Sequence, residues 1–306
     1  MKITALAGGV GAARFLTGLS QIFNPEELTV IVNTGDDITL HGLHISPDVD
    51  IVTYTLAGVV DEAKGWGIRG DTFQALGMLK AYGADTWFNL GDKDLSTHIY
   101  RTNRLQQGAT LAEVTDEVRL SLGLKTKILP MSNDYFETKI KTSESTMHFE
   151  EYFVKYQCKP HFLDVEFVGS NSAQPAPGVL DAILNTDLII VCPSNPIVSI
   201  GTILSILGVR DNLRQTRARI SAVSPIIAGG TVKGPADIML KGLGIEVSAF
   251  GVANYYSDFL DAIVIDSKDA PQKERIEKLG IAVTVTNTVM KTLDDKIALA
   301  NAVLKS

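Results

Sequence analysis

Gly8, Gly9 and Gly11, with Arg14 behind them, stand directly after the apolar run Lys2–Ala7 and ahead of a helical pattern. Glycines between a strand and a helix let the backbone turn tightly and approach a phosphate, and the free N–H groups and positive end of the helix point to the same place. The spacing nearly matches G-x-G-x-x-G, with Arg14 where the last glycine would sit. Alone this pattern is weak, because close strand–helix packing selects the same residues. A guanidinium in the first helical turn can grip a phosphate or a carboxylate at two points, for which a nicotinamide site has less need. The chain thus opens on an anion site.

A second group is acidic. Asn33, Asp36, Asp37, His41, His44, Asp48 and Asp50 fall within residues 33–50. A dinucleotide fold wants one acid at this point, for a ribose. The surplus suits Mg²⁺, which takes one or two carboxylates, water and phosphate oxygens, so Asp36, Asp37 and Asp48 are candidate ligands. Turn chemistry is the competing reading, and Ser46-Pro47-Asp48 has the composition of a turn. His41 and His44 read as structural, since Mg²⁺ prefers oxygen.

Further loops carry polar groups. Asn89-Leu90-Gly91-Asp92-Lys93-Asp94 places acids and a lysine after the run Thr86–Leu90, with His98, Arg101 and Arg104 downstream, the two arginines on one face if the segment is helical. Ser194 and Asn195 can bind a base or phosphate, or cap the helix behind them. Gly229-Gly230-Thr231-Val232-Lys233 resembles a second anion nest around Lys233, without the G-K-[ST] order of a Walker loop. Trp66, between Gly65 and Gly67, can stack on a flat ring or serve as a buried anchor. No order of residues suggests a serine or cysteine nucleophile.

Alternating strand-like and helical runs must position these loops. Strands are expected at 2–7, 28–33, 86–90, 187–192, 223–228, 245–250, 262–266 and 281–285, and helices at 12–23, 70–82, 111–122, 178–185, 200–207 and 293–304. Residues 125–170 change to shorter, period-two segments around Ser143–Ser145. The expected fold is α/β and Rossmann-like: one domain over 1–306, a mostly parallel sheet with helices on both faces, and a small antiparallel insertion. In such sheets ligands sit beyond the carboxyl ends of the strands, which gathers the loops after 7, 33, 90, 192 and 228 on one rim.

With 306 residues, 45% of them hydrophobic, the chain can bury a sizeable core. Its net charge of −7 argues against non-specific nucleic-acid binding. Cys158 and Cys192 form no framework and read as reduced thiols of a cytoplasmic protein. The start is not a signal peptide. The apolar stretch near 188–209 is cut by Pro193 and Pro196 and does not read as a membrane span.

Taken together, the segments GGVGAARFLTGL, VNTGDD, HGLHISPDVD, YTLAG, GWG, GDTF, LGDKDLSTHIYRTNRL, ILPMSND, CPSNPIVSIGTIL and GGTVKGPAD, in this order over nearly the whole chain, resemble the 2-phospho-L-lactate transferase family, which assembles the deazaflavin coenzyme F-420. The resemblance implies a Mg²⁺-dependent reaction. A guanylylated phospholactate or phosphoenolpyruvate gives its phospho-acid moiety to the ribityl hydroxyl of the deazaflavin Fo, and GMP leaves. It implies Fo contacts at Asp50 and Asn89, a position that varies in the family. In this scheme Gly8, Gly9, Gly11 and Arg14 hold the diphosphate, and Ser194, Asn195 and Lys233 the guanine nucleotide side. Asp36, Asp37, Asp48 and Asp50 hold Mg²⁺ and orient the ribityl hydroxyls, Trp66 and Asp94 add to the Fo site, and either Asp48 or Asp50 accepts the attacking proton. Small molecules are the expected partners, and apolar segments in the C-terminal third suit a homodimer.

Two rival readings remain. A sister branch of the superfamily resembles a non-catalytic nucleotide-sugar-binding regulator, but carries a P-x-G-D-x-R-type segment where this chain has Ser46–Asp50. An NAD(P)-dependent oxidoreductase would share the glycine-rich start, against which stand Arg14 and the excess of carboxylates.

Overall fold

The computed structural model describes residues 1–306. Strand β1 (Ile3–Ala7) is buried at every position, as a strand covered on both faces must be. It joins β2 (Leu28–Val32), β3 (Lys127–Pro130), β4 (Leu188–Val191), β5 (Arg219–Val223), β6 (Ala262–Asp266) and β7 (Ala282–Thr286) in one sheet. The order is β7-β6-β5-β4-β1-β2-β3 and every pair is parallel. Successive side chains alternate between two cores. Leu6, Ile31, Ile189 and Val191 face one, and Ala5, Ala7, Val30 and Ile190 the other.

Strands β1 to β3 run outward to one edge, and β4 then starts again beside β1 and runs to the other. At that reversal the loops after β1 and β4 lie side by side, and a crevice opens at the strands' carboxyl ends. Helix α1 (Gly9–Ile22) follows β1 and packs against α2 (Pro47–Leu56) and α4 (Leu293–Lys305); α3 (Asp92–Gln106) lies over the β-ribbon Leu43–Ile45. A three-stranded antiparallel sheet, Glu137–Thr142 between Thr146–His148 and Phe162–Val168, stands apart from the main sheet. It is tied to it where the Thr138 N–H donates to the Gly35 carbonyl at 2.7 Å.

The fold class is the expected one, with local differences. The segment expected as insertion from 125 begins with β3, a parallel edge strand of the main sheet, so antiparallel pairing starts only at Glu137. Residues 86–90 form no strand; the run is apolar because Phe88 faces the crevice and packs edge-on to Trp87, with ring centroids 5.6 Å apart. Residues 245–250 form none either. The Ser248 hydroxyl accepts from the Gly251 N–H at 3.0 Å and caps the helix Ala249–Tyr255, which divides the run. The strand expected at 223–228 lies earlier, as β5, followed by the short hairpin of Ile226–Ile227 with Gly230–Thr231. No single helix is long and apolar enough to cross a membrane, and the stretch after Pro196 breaks into helices bent by 84°.

Candidate active site

The crevice is a cavity of about 810 Å³. Gly8, Gly9, Gly11 and Arg14 line it from α1, Ser194 and Asn195 from the β4 loop, and Lys233 from beyond the short hairpin. Two of the glycines are required by geometry. Gly9 has φ +68°, in the left-handed region, and a Cβ at Gly11 would run into the Pro193 carbonyl oxygen. The second contact brings the β1 and β4 loops together at the switch point. Ser194 locks them: its hydroxyl donates to the Gly8 carbonyl at 2.8 Å and accepts from the Gly8 N–H at 3.2 Å. The Asn195 side chain caps, accepting from the Ile197 N–H at 2.9 Å, so its oxygen is committed to the backbone.

Arg14 and Lys233 take part in no ion pair. Burial, and then the like charge of Arg14, lower the Lys233 pKa. Two free cations facing each other near a helix N-terminus that carries no acid of its own form a receptor for a polyanion.

The opposite wall is acidic and divides into two sets. Asn33, fully buried at the end of β2, organises the first. Its Nδ2 donates to Asp36 at 3.0 Å and Asp48 at 2.9 Å, while its Oδ1 accepts from the Gly35 N–H and the Thr202 hydroxyl, both at 2.7 Å. Asp48, in the first turn of α2, lies against Gly8 and Gly9. Burial pushes its carboxyl up to about 7, against the pull of Asn33. Burial, then Asp48 and Glu150, raise Asp36 well above the carboxylate range. Glu150 enters from the antiparallel insertion, and burial with the charges of Asp48 and Asp37 pushes it to about 8. No cation compensates these acids. Buried carboxylates without one either protonate or hold a metal ion, and an all-oxygen set fits Mg²⁺.

The second set does have its cation. Arg101 of α3 is 1% exposed and forms a two-point ion pair with Asp50, Nη1 to Oδ2 at 3.1 Å and Nη2 to Oδ1. Burial raises the Asp50 pKa, and Arg101 and then His98 pull it back. Asp94 accepts from the Tyr54 hydroxyl at 2.8 Å and faces His98 Nε2 at 3.4 Å. Burial works against its charge, but His98 and Tyr54 outweigh it and hold the Asp94 pKa below the ordinary value. Asp50, Asp94 and His98 are the one trio of potential metal ligands whose atoms all lie within 4.8 Å of one another. With Arg101 already on Asp50, this trio is suited to accept hydrogen bonds from hydroxyls rather than to hold a second cation.

Every residue given a catalytic, substrate-binding or metal role from the sequence lines this cavity except Asp37, whereas Asn33, His41, His44, Asp92, Arg101 and Arg104 do not. Asp37 turns away: its carboxylate accepts from the Ser46 hydroxyl at 2.7 Å and meets His44 Nε2 at 2.9 Å. Trp66 and Asn89 stand in the wall. Asp92, expected beside Asp94, instead caps the helix Gln74–Ala81 through the Gln74 and Ala75 N–H groups, both at 3.0 Å. Sequence reasoning missed Glu150 and Tyr54, and it did not place Asn33 or Arg101 as organisers. The run of polar residues at one helical spacing, Asp94, His98 and Arg101, was the available signal for a buried face.

Fold and site define a doubly wound α/β protein that faces a phosphate-binding loop with buried carboxylates across its switch point. A family model described as 2-phospho-L-lactate transferase CofD matches residues 3–298, and the chain belongs to that family of transferases. It is 41% identical, over 99% of its length and 97% of the relative's, to a 2-phospho-L-lactate transferase of Methanocaldococcus jannaschii. It is 42% identical, over 100% and 98% respectively, to a phosphoenolpyruvate transferase of Streptomyces griseus. A crystal structure of a UPF0052 family protein from Bacillus halodurans shares the fold, with a TM-score of 0.70 at 16% identity over 99% of this chain and 98% of that one.

Proposed function

We propose that the chain transfers the phospholactyl or phosphoenolpyruvyl moiety of a guanylylated donor to the terminal ribityl hydroxyl of the deazaflavin Fo, releasing GMP and forming coenzyme F-420-0. The observation that carries this reading is the polarity of this cavity, whose glycine loop and unpaired Arg14 and Lys233 face two sets of acids with Asp48 at the boundary.

Phosphoryl transfer asks a protein for positioning and charge balance more than covalent chemistry. The Gly8–Gly11 amides and Arg14 take the donor's diphosphate, and Lys233 supports the nucleotide side. Asp50 and Asp94 are acceptors for ribityl hydroxyls, held in place by Arg101, His98 and Tyr54. Trp66 and Asn89 line the path of the ring. Between the two candidate bases the ion pair decides. Asp50 is engaged by Arg101, whereas Asp48 has no cation and lies against the phosphate loop, so Asp48 takes the proton of the attacking hydroxyl. A weak base is enough where the transition state is loose. Asp36 would hold Mg²⁺, with Asp48 reaching the ion across one of its waters and so keeping a free oxygen for the proton; when bound, Mg²⁺ supplies neutralisation of charge on the phosphate being transferred.

The test is to incubate the protein with Fo, Mg²⁺ and each guanylylated donor, and to detect the phosphodiester product and GMP by mass. GMP formed in step with product supports the reading; no product from either donor refutes it.

A further inference from the structure

Glu150 is a buried acid without a partner. It is 6% exposed, yet it lines the cavity. Its backbone N–H donates to His148 Nδ1 at 3.0 Å, but its carboxylate receives no hydrogen bond and forms no ion pair. The charges that act on it, those of Asp48 and Asp37, are of its own sign. A second buried acceptor is vacant on the same wall: Asp36 is 3% exposed, and its Oδ1 has no partner. Burying a carboxylate without a donor or a cation is among the most unfavourable arrangements a fold can contain. The position of Glu150 is nevertheless held firmly. The His148 ring accepts from the Glu150 amide and, through Nε2, contacts the Asp37 carbonyl oxygen at 3.1 Å. The insertion is thereby pinned to the acidic loop with this carboxylate turned inward.

We infer that Glu150, delivered by the antiparallel insertion, completes with Asp36 and Asp48 a site for a partly hydrated divalent cation, in the place that spacing along the chain suggested for Asp37. The inference rests on reading the cavity as a Mg²⁺-assisted transfer site. Asp37 is excluded by position: its Oδ2 is taken by Ser46 and His44, and its Oδ1, though without a partner, does not reach the cavity wall. The compact trio of Asp50, Asp94 and His98 is excluded because Arg101 supplies its positive charge. The three proposed carboxylates do not converge to within 4.8 Å, as direct ligands of a dry ion would. A wider set suits Mg²⁺, which gives up its water reluctantly and binds through one or two carboxylates with others reaching it across its waters. The insertion then has a chemical purpose: it closes the acidic wall and contributes the last acid.

The experiment uses Mn²⁺ alone, with neither Fo nor donor, so that its result is independent of the transferase reaction. Free Mn²⁺ is followed by electron paramagnetic resonance during titration of wild type, Glu150→Gln, Glu150→Asp and Asp37→Asn. The expected result is one Mn²⁺ per chain in the wild type, affinity about tenfold or more weaker in Glu150→Gln, an intermediate value in Glu150→Asp, and a change within about twofold in Asp37→Asn. Thermal unfolding separates this from a structural role. Removing an uncompensated buried charge should raise the metal-free melting temperature of Glu150→Gln and shrink its increase on adding Mn²⁺. Wild-type affinity in Glu150→Gln, no Mn²⁺ binding by the wild type, or a lowered metal-free melting temperature in Glu150→Gln overturns the assignment.

Discussion

Replacing Arg101 by methionine should cost about 4 kcal/mol at neutral pH, nearly all of it through Asp50. Arg101 does not line the cavity; its guanidinium is spent on Asp50, on the His44 carbonyl at 3.4 Å and on a contact with His98 Nδ1 at 3.3 Å. Methionine keeps most of the stem and removes the charge. Breaking a buried pair from one side costs about 3–5 kcal/mol, because the other charge is left uncompensated. An independent route gives the same size. The stranded Asp50 can escape by taking a proton, and protonating a carboxyl of ordinary pKa about 3.9 at pH 7 costs about 4 kcal/mol at 1.36 kcal/mol per pH unit. At pH 5 the same step costs only about 1.5 kcal/mol. The sign follows from proton binding. In the variant the folded pKa of Asp50 lies above its unfolded value, so the folded state holds the extra proton. The deficit against wild type therefore grows as pH rises above the wild-type Asp50 pKa, itself raised by burial, and shrinks as pH falls towards it.

Urea unfolding at pH 5, 6 and 7 measures this. The double variant Arg101→Met/Asp50→Asn, which buries no charge at this point, should recover to within about 1 kcal/mol of wild type and show no pH trend of its own. A deficit in Arg101→Met that is the same at pH 5 and pH 7, or a double variant as unstable as the single one, would mean that Arg101 acts by packing; the argument for Asp50 as a charge-balanced acceptor would then fail. In kinetics the single variant should raise KM for Fo more than it lowers kcat, since the group lost is one that positions the acceptor's contact.

Arg14→Ala and Lys233→Ala should each raise KM for the guanylylated donor by about tenfold with little change in KM for Fo, and the effect should diminish as salt is raised; equal effects on both substrates would contradict the division of the cavity. Gly11→Ala forces a methyl group against the Pro193 carbonyl, backbone against backbone, and should cost about 1–3 kcal/mol in unfolding free energy and about 100-fold in kcat/KM by parting the two loops. With Asp48 pushed to about 7 and Glu150 to about 8, the metal-free folded chain binds more protons than the unfolded chain between pH 5 and pH 7. Each group then makes unfolding free energy fall by up to about 1.4 kcal/mol per pH unit. Mg²⁺ should accordingly raise the melting temperature more at pH 8 than at pH 6, and a shift independent of pH would show that it binds elsewhere.

The parts of the site that were legible are those coded locally. Gly9 and Gly11 follow a strand and precede a helix, so their chemistry is written in adjacent residues; Asp48 and Asp50 share one helical turn. What was not legible depends on contacts across the chain. Asp36 and Asp37 are neighbours with the same side chain, yet one enters the cavity and the other bonds Ser46, a choice made by Asn33 on one side and the Leu43–Ile45 ribbon on the other. Glu150 sits in a segment that reads only as hairpin, and its approach to Asp48 requires the docking of a separate sheet. The short apolar runs at 86–90 and 245–250 show the same limit, because length and hydrophobicity cannot tell a strand from a cavity wall or a capped helix start.

The distribution of acids over helix starts explains why the cavity is polar in one direction only. Among the helices that begin near it, α1, α2 and α3 carry the contrast. Helix α2 carries Asp48 and Asp50 in its first turn and α3 carries Asp92 and Asp94, whereas α1 has no acid there. Each N-terminus presents about half a positive charge, which an acid in the first turn offsets. Helices α2 and α3 are thus balanced from within, and Asp48, Asp50 and Asp94 become acceptors facing inward, while Asp92 caps a neighbouring helix. Helix α1 has no acid of its own there, meets only Asp48 at its edge, adds Arg14, and has glycine where any side chain would block approach. A ligand that is anionic at one end and rich in hydroxyls at the other can lie in this cavity only one way round, with its phosphates on α1 and its hydroxyls on α2 and α3. Asp48 stands at the junction because it begins α2 and touches the loop that begins α1.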